Sequence, residues 1–171
     1  MSPVGQLHLA SAVVALAAGA WIVLRPKGTA THRRVGWVYA FSMLGLNVTA
    51  LLIYRLTGSF GPFHIAALLS LVTLIAGIIP AWRRRPVDKW LDHHYFWMAY
   101  SYLGLLAATV AETATRVPSV QAFAGGPTPI FWIVVIVASV TVFVVGGRVI
   151  RRRFESTILP FRTFFRDTDS A

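Results

Sequence analysis

Apolar residues fall into five long runs, separated by short clusters of basic residues, glycine and proline. The runs predict membrane-spanning helices over Gly5–Leu24, His32–Leu56, Pro62–Trp82, His93–Thr115 and Pro129–Ile150. Each reaches roughly the 20 residues that a helix needs to cross hydrocarbon. With no water there to bond the backbone, helices are the form such segments take. The breaks carry turn chemistry: Arg25-Pro26-Lys27-Gly28, Gly58-Ser59-Phe60-Gly61-Pro62, Arg83-Arg84-Arg85-Pro86, and Pro118 with Gly125-Gly126-Pro127. Thr31 is expected to cap the second helix. The predicted fold is therefore all-α and integral to the membrane. It is an antiparallel four-helix transmembrane bundle plus a fifth transmembrane helix packed on its outside. Residues 1–153 form one domain and 154–171 a cytoplasmic tail. That tail mixes Phe161, Phe164 and Phe165 with Arg162 and Arg166. It lies along the headgroups or is a partly disordered end.

Polar positions inside the runs follow helical spacing. His32, Gly36, Tyr39, Met43 and Leu46 or Asn47 make one stripe on the second helix. His94, Met98, Ser101, Leu105, Ala108 and Glu112 make another on the fourth. Asn47, near mid-membrane, needs a hydrogen-bond partner and is expected to face the bundle. Gly5, Ala12 and Gly19 recur every seven positions and predict a smooth packing stripe on the first helix. Tyr39, Tyr95, Tyr100, Tyr102, Trp82, Trp90 and Trp97 read as interfacial anchors and packing residues.

Composition fits this picture, with 56% of the 171 residues hydrophobic and 13% charged. The net charge of +10 does not point to nucleic acid, because the basic residues flank apolar runs and do not line a soluble face. They set orientation instead. Arg25, Lys27, Arg33, Arg34, Arg83–Arg85, Lys89, Arg148, Arg151–Arg153, Arg162 and Arg166 stand on one side, 14 residues against Arg55 and Arg116 on the other. The positive-inside rule then places the N-terminus outside and the C-terminus in the cytoplasm. The location expected is a bacterial cytoplasmic (inner) membrane. The first run lacks a basic leader and its positive charges follow it, so a retained helix is expected over a cleaved signal. With no cysteine, disulfides, zinc–thiolate sites and thiol catalysis are excluded. No phosphate loop, nucleophile elbow or His-Glu-x-x-His helix occurs.

The stretches KGTATHRRVGWVYAFSML, FGPFHIAALLSLVTL and HHYFWMAYSYLGLLAATVAE resemble a bacterial family of predicted multi-pass membrane proteins of unknown function. The likeness covers roughly residues 8–115, and its most specific elements are His-Arg-Arg-x-Gly-x-Val-Tyr and Pro-Phe-His. The resemblance implies topology and carries no reaction.

Chemistry rests on the five histidines, all near the start of an apolar helix: His8, His32, His64, His93 and His94. Alternating helix direction puts His8 and His64 toward the outer surface, and His32 with His93 or His94 toward the inner one. The two tiers stand roughly 25 Å apart by helical rise. Facing imidazoles clasp a haem iron from both axial sides. The layered pattern is similar to transmembrane b-type cytochromes, especially the ascorbate-type family. That likeness implies electron transfer through one or two b haems, with Arg33, Arg34, Arg83–Arg85, Arg55 or Arg116 near propionates. Two readings compete. Glu112 is the one acid within the apolar runs, and His8, His64 and Glu112 are a possible ligand set for a divalent metal such as zinc or iron, permitting hydrolysis. Against this, Arg116 four residues on makes an ion pair with Glu112 the simpler role. Asp88 and Asp92 beside His93-His94 form a further possible inner cluster, or solvated charges. The last reading has no cofactor: an accessory or scaffold subunit of a membrane complex, or a homo-oligomer, with helix-end histidines meeting headgroups.

Overall fold

A computed structural model describes residues 2–54, 58–85, 89–116 and 129–169. Among these every regular element is a helix: α1 Pro3–Leu24, α2 Ala30–Leu51, α3 Pro62–Arg83, α4 Trp90–Arg116 and α5 Pro129–Asp169. The ends follow local chemistry. Ser2 accepts the Gly5 N–H with Pro3 in the first turn, so α1 begins two residues before the apolar run does. Thr29, and not Thr31, caps α2: its Oγ1 accepts the His32 N–H at 3.0 Å. Gly28, at φ 76°, turns the chain just before it. Lys27 closes the other end of α1, its ammonium donating to the carbonyls of Ile22, Val23 and Arg25 at 2.6–3.0 Å. Those carbonyls have no partner within the helix, and the positive charge suits the negative end of its dipole.

α2 ends at Leu51, short of the expected Leu56. Arg55–Thr57 lie outside the described residues, as do Asp88 and the loop holding Pro118 and Gly125–Pro127. α5 continues well past Ile150, so the expected tail is helical to Asp169. Among the described residues, three helical stretches are long and apolar enough to cross a membrane: Pro3–Leu24, Pro62–Arg83 and Trp132–Phe154. α2 and α4 have the length but dilute their apolar positions. α2 carries His32, Arg33, Arg34, Asn47 and Thr49, and α4 carries Asp92, His93, His94 and Glu112.

The chain divides into two compact units, residues 1–75 and 76–171. In the first, α1 and α2 are antiparallel neighbours, with His8 against Thr49 and Ser11 against Gly45. A Cβ added to Gly45 would meet Ser11 Oγ at 3.1 Å, so the helices touch along small residues. The buried face of α1 is Ala15, Ala18 and Gly19. It shares only Gly19 with the expected stripe, because the contact repeats at three and four residues. The predicted α2 stripe is inward, with Tyr39, Met43, Leu46 and Asn47 all buried. Tyr39 is 1% exposed and therefore a core residue, not an interfacial anchor. Asn47 finds its expected partner. Nδ2 donates to Met43 O at 2.8 Å and to Ser70 Oγ on α3 at 3.1 Å.

In the second unit the end of α3, α4 and α5 pack in antiparallel register. Of the expected α4 stripe, Ser101 and Leu105 are buried and His94, Met98, Ala108 and Glu112 half-buried, while Leu103, Ala107 and Ala111 are buried beside it. Tyr95 Oη donates to Ile150 O at 3.1 Å, and Phe96 stacks on Phe154. A Cβ on Gly146 would collide with Leu103, so that glycine lets α5 lie close against α4. Trp82 and Trp97 point outward, as interfacial anchors do.

Candidate functional site

The histidines differ most in what their Nδ1 atoms do, and that decides the chemistry left to Nε2. His94 stands one turn into α4, with Nδ1 2.8 Å from the carbonyl oxygen of Gly77 on α3. A carbonyl only accepts, so Nδ1 carries the proton and Nε2 holds the lone pair. The contact depends on Gly77 having no side chain. A Cβ there would lie 2.6 Å from Met98 Sδ and 3.1 Å from the Met98 backbone nitrogen. Pro80 sits in the same turn of α3 and removes the N–H that the Ala76 carbonyl would accept. His93, on the neighbouring position of α4, is exposed. Adjacent helical positions point about 100° apart, and only His94 reaches inward.

His8 is held in a comparable way within the other unit. Its Nδ1 lies 3.1 Å from Thr49 Oγ1, whose own proton is directed to the α2 carbonyls of Gly45 and Leu46 at 2.7 and 2.9 Å. Thr49 is left as acceptor toward His8. The ring again protonates Nδ1 and keeps the lone pair on Nε2.

His64 is the opposite case. The Gly61 N–H donates to its Nδ1 at 3.1 Å, while Gly61 O accepts the His64 N–H at 3.0 Å. This reciprocal pair closes the start of α3 as a capping box does. Because Nδ1 accepts, the neutral ring carries its proton on Nε2. The side chain is 3% exposed and lies against the rings of Tyr54 and Phe60 at centroid distances of 4.6 and 4.9 Å, and among the described residues its Nε2 has no hydrogen-bond partner. His8 and His64 stand toward the same end of their unit. By register on α2, through Thr49 for His8 and Asn47–Ser70 for α3, His64 lies roughly 6 Å farther toward that end.

An imidazole binds iron through a lone pair, and the best-held ligands donate the other ring N–H to a fixed acceptor. His94 and His8 meet that requirement. His64 would first have to surrender the Gly61 bond. His32 sits in the first turn of α2 and is half-buried. Among the described residues no three His, Asp or Glu side chains stand together as a metal-binding group. Glu112 is half-buried on α4; the side chain of Arg116, its expected partner, lies outside the described residues. The sequence did not single out Gly77, Thr49, Gly61 or Lys27 for these roles. Gly77 beside Pro80 is the one signal that was there to be read.

No curated protein and no solved structure matches the chain. A family model does match, over residues 5–150, and extends the resemblance through the apolar part of α5. With apolar helices and that match in hand, the chain belongs to the family described as predicted membrane protein, DUF2306.

Proposed function

We propose that this protein crosses an inner membrane five times, N-terminus outside, and carries electrons through b-type haem held on helix-end histidines. His94 is the axial ligand that the geometry favours at the inner tier, with His32 as its partner from the sequence pattern. His8 is the ligand favoured at the outer tier, where His64 joins it only if its ring turns away from Gly61. The observation that carries this reading is the Nδ1–H of His94 bound to Gly77 O at 2.8 Å. That bond fixes the ring and makes Nε2 the basic nitrogen. A haem iron so held would cycle between ferrous and ferric states, one electron at a time. The chain's own part is to fix the imidazoles and to keep water away. The family description assigns no reaction. No specific observation favours the hydrolytic metal reading.

The test is a reduced-minus-oxidised visible spectrum of the detergent-purified protein, expressed with ample haem, with metal analysis on the same sample. The wild type and His93→Ala are expected to give a b-type spectrum, while His94→Ala loses at least half of the bound haem. Protein free of haem and metal throughout would support the scaffold reading and end this one.

A further inference from the structure

Within the second unit, one face of α5 and the Tyr100 side of α4 enclose a groove of about 500 Å³. Its walls include Val140, Phe143 and Val144, and Arg148 and Arg151 stand at one end. These α5 positions recur at three and four residues, so they form one continuous stripe along the helix. From Val140 to Arg151 the stripe is roughly 16 Å long by helical rise, comparable to much of a fatty-acyl chain. Gly147 keeps the floor low beside the Tyr100 hydroxyl, which would be 3.5 Å from a Cβ at that position. Both arginines are exposed, and neither meets an acidic group among the described residues.

An apolar trough ending in two exposed guanidinium groups has the polarity of one kind of molecule. We infer that it is a binding site for an anionic phospholipid, with an acyl chain along Val140, Phe143 and Val144 and the phosphate on Arg148 and Arg151. Guanidinium suits this role because its fork bonds two phosphate oxygens at once. The stripe runs to the end of the apolar stretch Trp132–Phe154, where headgroups of one leaflet would lie. That leaflet is the cytoplasmic one if the proposed orientation holds. The site itself depends on neither the orientation nor the haem.

Native mass spectrometry of the full chain, released from detergent and titrated with phosphatidylglycerol, phosphatidylcholine or inorganic phosphate, tests it. Phosphatidylglycerol is expected to bind at least tenfold more tightly than phosphatidylcholine, with inorganic phosphate leaving no adduct. The double variant Arg148→Gln/Arg151→Gln should lose that preference. Arg152→Gln/Arg153→Gln removes equal charge outside the groove and should keep it. Val144→Trp, which fills the trough without touching the arginines, should weaken binding of the lipid by a similar factor. Equal losses in the two arginine variants, or equal binding of both lipids to the wild type, would overturn the site. So would a dimer that forms through this face and excludes lipid.

Discussion

Asn47, His8 and His94 are polar side chains set among apolar helices, and each bonds a specific partner. Asn47 is 4% exposed and bonds both its own helix and Ser70 of α3. Such interhelical bonds in membranes are worth about 1 kcal/mol. Asn47→Ala is therefore expected to lower stability by about that amount, read as an earlier midpoint in a detergent unfolding titration. An unchanged midpoint would mean that the Ser70 contact contributes nothing. The histidines teach a finer lesson: of three rings near helix starts, His94 and His8 hold the proton on Nδ1, facing a carbonyl and a hydroxyl oxygen, while His64 accepts a backbone N–H there and holds it on Nε2. Position along a helix was legible in the sequence. The tautomer was not, since it is set by partners 41 and 17 residues away for His8 and His94.

At the scale of elements, glycine decides how closely helices approach. Gly77 is buried against Met98, and no flexible rearrangement clears the 3.1 Å approach to the Met98 backbone nitrogen. Gly77→Ala should therefore push α3 from α4, costing about 1–3 kcal/mol, and should loosen His94. Gly36→Ala is the control: it lies in α2 with nothing within 4 Å of an added Cβ, and should be neutral or slightly stabilising through helix propensity. Equal effects of the two substitutions on thermal unfolding would contradict the close contact. The inward stripe of α2 was visible as spacing, because burial on one face selects residues at the helical period; on α4 the spacing found Ser101 and Leu105 and missed Leu103, Ala107 and Ala111. The α1 face was predicted imperfectly. A helix apolar all round gives no polar side from which to judge the buried one.

At the scale of the molecule, the helices differ in how readily each enters lipid. α1, α3 and the first part of α5 have the apolarity to do so unaided. α2 and α4 bring charged and histidine-bearing ends with them. In the five-span arrangement Ser59 lies outside and Lys89 inside; if only the three most apolar helices crossed, both would change sides. The chain has no cysteine, so Ser59→Cys and Lys89→Cys can be labelled cleanly. With an impermeant maleimide on intact cells, Ser59→Cys should react and Lys89→Cys should react only after permeabilisation. The reverse pattern would overturn the proposed topology, either in the number of spans or in the orientation.

The order of apolar runs, the basic flanks and the inward face of α2 were determined by the sequence alone. Each is a local or periodic property, and lipid enforces it segment by segment. The tertiary structure decided which histidine of the 93–94 pair turns inward, that His64 closes its own helix, and that Lys27 closes α1. It also decided where a trough with a charged end opens between α4 and α5. Those outcomes depend on which backbone oxygen or N–H comes within about 3 Å of a side chain, a matter of packing that residue order does not specify.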